Sequence, residues 1–230
     1  MTEGFLSPYI YPFKQQAMFR FNAPILIVVI FITTGCIPKT IPPSSDRGDL
    51  LPDTFRTRFV TTRGEFYAEF YRELSPLAVQ RAHDLLESGF FNDIAIFRVE
   101  PDYVVQFGIS DSTALNEYWK SQSLPDEKNK GANTAGTIAF ARGGKDSRTT
   151  QLFINMQDNR KLDDLDFNGV RGFPVIGKVY KGMETVRRFY PGYAFEPAAR
   201  QDSIWMYGND YLRKNYPKLD FIIKAEILKE

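Results

Sequence analysis

Short stretches in which apolar and polar residues alternate recur along the chain from about residue 55 onward. A period of two, with many β-branched and aromatic residues, is typical of strands that bury one face. Gly64 follows Arg63 between the first two stretches, and a glycine at such a turn indicates a hairpin. The predicted strands are FRTRFVTT, EFYAEFY, IAIFRVE, YVVQFG, GTIAFAR, QLFINM, FPVIGKVY and FIIKAEIL.

Three segments have helical spacing instead. Ser75 and Pro76 suit the start of a helix, an apolar stripe runs from Val79 to Leu86, and Gly89 suits the C′ position. The other two predicted helices lie within residues 182–190 and 201–217, and the polar stretches 109–135 and 162–172 are predicted as loops, the first with one short helix.

Many short strands, few helices and no regular strand–helix alternation predict a mainly β domain over residues 55–230. The pattern is compatible with an antiparallel sandwich or with a barrel, and it does not choose between them. With 43% hydrophobic residues, the chain can build one sizeable core.

The N-terminal part has a different pattern. Ile25–Ile32 is a run of eight apolar residues that follows Arg20, which is too short for a membrane span of about 20 residues but fits a signal-peptide core of about 7–15 residues. The small residues before Cys36 resemble a bacterial lipobox, although Thr33 stands where a large aliphatic residue is usual. We predict a lipoprotein signal peptide over residues 1–35, lipidation of Cys36, and a Pro/Ser-rich tether over residues 36–54.

Two alternatives remain for this region. Cys36 could be a chance thiol in a linker, and translation could start at Met18 rather than Met1. Loss of residues 1–35 would remove Lys14, Arg20 and Glu3 and would change the net charge of +1 to zero.

Composition excludes several kinds of chemistry. Cys36 and His83 are the sole cysteine and histidine, so an internal disulfide is impossible and a zinc site built from Cys and His is not expected. No basic stripe predicts nucleic-acid binding, and no phosphate-binding glycine loop or serine-hydrolase elbow occurs. His83 lies beside the polar face of the first helix and is predicted to be solvated, and Asp163-Asp164 is predicted to form a solvated turn.

The stretch IFRVEPDYVVQFG places Arg98 between apolar residues of a predicted buried strand. Arginine is rarely buried without a partner. Glu100 shares the strand face of Arg98 and could form a purely structural ion pair with it. Gln106 lies eight residues on, so the strand pair carries two polar side chains that need an explanation.

The spacing F-R-V-x-P-x-x-x-x-Q-x-G from Phe97 to Gly108 resembles the cyclophilins, which are peptidyl-prolyl cis/trans isomerases. PLAVQRAHDLLESGFF, GTIAFAR, TTQLFINM and FPVIGKVYKGMETV resemble further blocks of that family, in the family's order. The resemblance covers roughly residues 57–190 and the last strand. It implies a closed antiparallel eight-stranded barrel capped by two helices, with an extra helical segment at 191–217 that resembles an addition in some bacterial members.

The resemblance also implies roles for individual residues. Arg98 matches the catalytic arginine, Gln106 matches a glutamine that contacts the substrate backbone, and Arg142 stands where an asparagine often offers its backbone to the substrate. Phe173 replaces a histidine found in many members, Val104 a usual methionine and Ala139 a usual serine. The expected substrate-binding residues are Tyr103, Val104, Gln106, Phe140, Arg142, Gln151, Phe153, Leu162 and Phe173.

We therefore expect a prolyl isomerase that acts on proline-containing segments of exported proteins. No cofactor or metal is implied, and we expect a monomer held at the bacterial envelope by a lipid on Cys36, at the outer membrane if the cell is Gram-negative. Two alternatives stay open: a groove that binds proline-containing peptides or acts as a chaperone without useful turnover, and a structural envelope lipoprotein that only shares the barrel.

Overall fold

The computed structural model describes residues 51–229. The predicted signal peptide, Cys36 and nearly all of the predicted tether lie outside the described residues. Within residues 51–229, no helix is both long enough and apolar enough to cross a membrane.

Eight antiparallel strands close into a barrel in the order β1-β10-β3-β4-β6-β5-β9-β2. This confirms the barrel expected from the resemblance and excludes the sandwich. The barrel strands are β1 Thr54–Thr61, β2 Gly64–Tyr71, β3 Ile94–Val99, β4 Val104–Phe107, β5 Thr137–Phe140, β6 Leu152–Asn155, β9 Val175–Lys181 and β10 Phe221–Ile227.

The main core fills the barrel and extends under the first helix. Phe59 and Phe66 face each other across the β1–β2 hairpin with ring centroids 4.6 Å apart. Gly64 at the hairpin turn has a φ of 115°, a conformation that glycine adopts without steric cost. The side chains that face the barrel interior therefore pack in the core, and polar side chains suited to chemistry lie on the outer face.

The α-helices of the described part are α1 Pro76–Glu87, α2 Thr113–Lys120, α3 Lys161–Asp164, α4 Met183–Val186 and α5 Gln201–Asn215, and a 3₁₀ helix at Pro197–Arg200 precedes α5. As predicted, α1 begins at Ser75-Pro76 and Gly89 follows its end with a φ of 68°. The side chain that caps the N-terminus of α1 comes from a distant part of the sequence: the Glu127 carboxylate accepts hydrogen bonds from the amides of Leu77 and Ala78.

Two predictions made for individual stretches were wrong. His83 is half-buried rather than solvated, because its ring packs edge-on against Phe55 at 5.2 Å. The stretch 162–172 contains a small hairpin, β7 Asp166–Phe167 and β8 Val170–Arg171, and not only a loop. Asn168 and Gly169 at its turn have φ values of 51° and 78°. Asn-Gly is the sequence signal for such a turn.

Residues 191–217, the added segment, pack on the outside of the barrel. Ile204 and Leu212 of this segment join Phe97 of β3 and Phe221 of β10 in a separate outer core. The helix α5 is kinked at Gly208, which has a φ of 57°. A Cβ there would lie 2.2 Å from Asp111 Oδ1, which instead accepts a hydrogen bond of 2.6 Å from the amide of Asn209.

Candidate active site

A β-bulge explains how an arginine fits into an apolar strand. In β3, Ile96 pairs with Phe107 and Arg98 pairs with Gln106, so β3 advances by two residues where β4 advances by one. Ile96 and Val99 pack in the main core, whereas Phe97 packs in the outer core. The extra residue of a bulge changes which face the next side chain occupies. Arg98 therefore leaves the barrel interior and lies at its outer face.

Cross-strand pairing places Arg98 at one end of a row of four residues. Arg98 pairs with Gln106, Gln106 with Phe153, and Phe153 with Ala139. Residues opposite each other on neighbouring strands present their side chains on the same face. The row thus runs from a charge through an amide to an apolar surface.

The apolar end of the row belongs to a compact cluster, the apolar slot. Val104, Ala139, Phe153 and Leu162 form its buried part, and Tyr103, Ala141 and Phe173 cover it partially. The slot opens into a cavity of about 410 Å³. The cavity is lined by Arg98, Tyr103, Val104, Gln106, Ala141, Arg142, Phe153, Leu162, Leu165, Phe167, Phe173, Phe195 and Gln201.

Phe140 does not lie in this cavity, so its expected place in the substrate pocket was wrong. Its side chain is 1% exposed and packs in the main core. The neighbours Ala139 and Ala141 contact the slot instead. Side chains alternate between the two faces of a strand, so Phe140 cannot share the outer face with Ala139.

The Arg98 guanidinium is held by two hydrogen bonds along its edge. Nε donates to Glu100 Oε1 at 2.9 Å and Nη1 donates to Gln106 Oε1 at 3.1 Å. The ion pair with Glu100 exists, but it does not remove Arg98 from the cavity wall. In the described part of the chain, no hydrogen bond occupies Nη2, so this donor is available to a bound molecule.

A hydrogen-bonded chain of three glutamine side chains leads away from Arg98. Gln106 Nε2 donates to Gln151 Oε1 at 2.8 Å, and Gln151 Nε2 donates to Gln201 Oε1 at 2.8 Å. Gln151 does not line the main cavity. It lines a smaller adjoining cavity of about 180 Å³, which also contacts Gln106, Arg142 and Gln201. The glutamine chain thus separates the two cavities and connects the added segment to Arg98.

The side chain of Arg142 supports the wall of the cavity. It donates to the carbonyl oxygens of Phe167 and Val170 at 2.9 Å each and of Gly172 at 2.5 Å. The guanidinium also lies 4.4 Å from the ring centre of Phe173. Burial lowers the pKa of Arg142. This arginine therefore holds the β7–β8 hairpin, whose Phe167 lines one side of the cavity together with the preceding Leu165.

Sequence reasoning missed several cavity residues. Leu165 and Phe167 depend on the small hairpin, which the Asn168-Gly169 pair could have indicated. Phe195 and Gln201 come from the added segment, and no local pattern connects them with Arg98.

The arrangement is suited to holding an apolar ring beside a fixed cationic donor. Tyr103 is half-buried, and burial raises the pKa of its hydroxyl. Within residues 51–229, no group of three or more His, Cys, Asp or Glu side chains could hold a metal ion.

The structure is thus a closed barrel that carries an external apolar slot next to an arginine. Residues 56–202 match the family model described as cyclophilin type peptidyl-prolyl cis-trans isomerase/CLD. The chain belongs to this family.

Relatives carry the corresponding name. A peptidyl-prolyl cis-trans isomerase of Acinetobacter baylyi is 34% identical over 128 residues, which are 55% of this chain and 66% of that protein. Isomerase A of Dickeya dadantii is 37% identical over 54% of this chain and 65% of its own length. The chain thus spans just under two thirds of these two relatives. Isomerase B of Escherichia coli is 28% identical over 75% of this chain and 98% of its own length.

Solved structures show the same fold at low identity. A cyclophilin type peptidyl-prolyl cis-trans isomerase of Cryptosporidium parvum covers 77% of this chain and 99% of its own, with a TM-score of 0.54 and 16% identity. The same protein was solved in the presence of the dipeptide Ala-Pro, with a TM-score of 0.53, 16% identity and coverage of 76% and 99%.

Proposed function

We propose that this protein is a peptidyl-prolyl cis/trans isomerase in which Arg98 stabilises the twisted X-Pro amide. The observation that carries the proposal is the position of Arg98 in the cavity wall, at one end of the strand row whose other end belongs to the apolar slot. Among residues 51–229, no hydrogen bond occupies its Nη2.

The reaction needs a hydrogen-bond donor and a surface that holds the proline ring, rather than a nucleophile. Rotation about an X-Pro bond is slow because amide resonance must be lost, with a barrier of about 18–20 kcal/mol. In the twisted state the proline nitrogen becomes pyramidal and carries a localised lone pair. A guanidinium that bonds this lone pair stabilises the twisted state more than the planar one, which lowers the barrier. Arginine suits this role because its donors form a rigid, charged fork.

The slot would hold the proline ring while the rest of the peptide turns. Val104, Phe153 and Leu162 are 2%, 5% and 2% exposed, so they offer a fixed apolar surface. Gln106, bonded to Arg98 and Gln151, would bind the peptide backbone. The relative solved in the presence of Ala-Pro supports a proline-containing peptide as the ligand.

The test is isomerisation of an Ala-Pro peptide by the wild-type protein and by Arg98→Ala and Arg98→Lys. We expect catalysis by the wild type, a loss of about 100-fold in Arg98→Ala by analogy with removal of an oxyanion-hole donor, and little recovery in Arg98→Lys, which keeps the charge but not the fork. Peptide binding without turnover would support a binding module instead. A rate that Arg98→Ala leaves unchanged would contradict the role of Arg98.

We further propose that the substrates are exported proteins and that a lipid on Cys36 anchors the enzyme at the cell envelope. The N-terminal pattern of an apolar run followed by small residues and the sole cysteine supports this proposal. Cys36→Ser should release the protein into the soluble envelope fraction and abolish labelling by a fatty-acid analogue. A membrane-bound, uncleaved Cys36→Ser protein would contradict lipid anchoring.

A further inference from the structure

We propose that Phe195, presented by the added segment, is a specificity-determining residue that contacts an apolar or aromatic side chain next to the substrate proline. This inference rests on the proposed isomerase function and adds a substrate class to it. Phe195 is one of the cavity residues that the sequence did not reveal.

Two aromatic rings flank the Arg98 guanidinium. Its central carbon lies 4.8 Å from the ring centre of Phe195 and 5.2 Å from that of Tyr103. Arginine stacks well on aromatic rings because the guanidinium is planar and weakly hydrated. Phe195 thus lies beside the group that would bond the proline nitrogen, which is the position where residues adjacent to the proline must pass.

Phe195 is held near Arg98 but is not buried there. Its side chain is 50% exposed, although a phenylalanine in a packed turn would bury most of its surface. The neighbouring Tyr193, in contrast, packs against Tyr190 at 5.1 Å and against Tyr216 at 5.2 Å. The free part of the Phe195 ring is therefore available at the cavity rim.

The backbone before Phe195 adopts a conformation that alanine rarely takes. Ala194 has a φ of 45°, and such strained positions often accompany functional sites. Hydrogen bonds from Ala194 N to Pro191 O and from Glu196 N to Tyr193 O, both 2.9 Å, enclose this turn. The turn fixes the direction in which the Phe195 side chain leaves the backbone.

The added segment is fastened to the site directly after the turn. Ala198 and Ile204 pack with Phe97 in the outer core, directly beside Arg98 in sequence. Gln201 accepts the hydrogen bond from Gln151 that ends the glutamine chain. Phe195 is therefore a fixed part of the site wall rather than the tip of a distant loop.

An exposed aromatic ring at an apolar cavity favours apolar partners. A second ring adds roughly 0.5–1.5 kcal/mol beyond its area burial, which corresponds to a preference of about twofold to tenfold. Peptides with Phe or Leu beside the proline should therefore be better substrates than peptides with Gly or Ala.

The experiment compares two peptide series by NMR exchange spectroscopy, which reads cis/trans rates without a coupling protease. One series varies the residue before proline and the other the residue after it, each through Gly, Ala, Leu and Phe. The proteins are the wild type, Phe195→Ala and Phe195→Leu. The control is Tyr207→Ala, which removes a ring that is 61% exposed on the same segment but does not line the cavity.

We expect the wild type to prefer Phe or Leu in one of the two series. Phe195→Ala should reduce that preference, measured as the rate for the Phe peptide divided by the rate for the Gly peptide, about fivefold. Phe195→Leu should keep part of the preference, and Tyr207→Ala should keep all of it. An equal loss on every peptide would overturn the proposal, since Phe195 would then only position Arg98.

Calorimetric binding of the same peptides separates this inference from the isomerase proposal. If the wild type lacks turnover, the isomerase proposal fails, yet a Phe195-dependent affinity for Phe or Leu peptides would still support the contact. An unchanged order of affinities in Phe195→Ala would overturn it whether or not the protein is catalytic.

Discussion

Arg98 and Gln106 face each other across β3 and β4, and Nη1 of the arginine donates to the amide oxygen of the glutamine at 3.1 Å. The same amide donates to Gln151 at 2.8 Å, so Gln106 orients Arg98 from a side chain that is itself fixed. An orienting contact of this kind restricts the guanidinium, and under the proposed mechanism it would hold the geometry that the twisted amide requires.

Gln106→Met should therefore lower kcat/KM by about tenfold, because a hydrogen bond to a charged group contributes about 1.5–3 kcal/mol. The methionine has similar length but neither accepts from Arg98 nor donates to Gln151. Isomerisation rates and thermal unfolding are the measurements. The matched control is Gln122→Met, an exposed glutamine outside the cavity. Equal rates in the two variants would contradict an orienting role for Gln106.

Arg142→Met should weaken both the fold and substrate binding. Its guanidinium bonds the carbonyls of Phe167, Val170 and Gly172, and the contact with Gly172 is buried. A buried carbonyl left without its donor costs about 1–3 kcal/mol. We expect a loss of at least about 2 kcal/mol in the free energy of unfolding and a higher KM, because the hairpin wall is released.

Arg171→Met is the matched control for this change. Arg171 lies on the same hairpin, but its side chain is 73% exposed and pairs with the equally exposed Asp164. Surface pairs of this kind contribute little, so stability and KM should stay close to wild type. A similar effect of both substitutions would mean that Arg142 has no special role in the wall.

The sequence was sufficient for the barrel because the family's blocks carry the strand pattern in order. The spacing from Phe97 to Gly108 also located Arg98, Tyr103, Val104 and Gln106, since they lie on two strands joined by a short turn. The bulge that turns Arg98 outward was not predictable, because it depends on pairing with β4 and not on the local alternation.

Two other features show where local pattern fails. TIAF is apolar at Ile138, Ala139 and Phe140, so alternation does not reveal which face is inward, and the larger ring was assigned to the wrong one. Phe195 and Gln201 reach the site only through packing of the added segment on β3, a long-range contact that no short motif encodes.

Phe140 of β5 and Phe153 of β6 lie on opposite faces of the barrel wall, so substitutions of these two residues should have different effects. Phe140 packs in the main core at 1% exposure, whereas Phe153 is 5% exposed and lines the cavity. Phe140→Leu should cost on the order of 1 kcal/mol of stability through the space it leaves and should keep kcat/KM. Phe153→Leu should lower kcat/KM several-fold, because the slot loses its flat wall.

Urea unfolding and isomerisation rates, measured well below both unfolding midpoints, separate the two effects. A loss of kcat/KM in Phe140→Leu as large as that in Phe153→Leu would contradict the assignment of Phe140 to the core.

The Glu65 carboxylate, far from the proposed active site, makes a pH-dependent contribution to the stability of the barrel. Arg58 donates to one of its oxygens and the Tyr67 hydroxyl donates to the other at 2.7 Å. The contact with Arg58, followed by that with Tyr67, lowers the pKa of Glu65 to about 2 from the usual 4.5. Because the folded-state pKa is the lower one, the stabilisation is complete above pH 4.5 and is lost as the pH falls toward 2.

Glu65→Gln should therefore be less stable than wild type at pH 7, and the gap in free energy of unfolding should narrow as the pH falls below about 4.5. Urea unfolding of both proteins between pH 7 and pH 2 measures this gap. In an Arg58→Met background the narrowing should be much smaller, because the main cause of the shift is gone. A gap that stays constant with pH in the wild-type background would show that the ion pair does not stabilise the folded state.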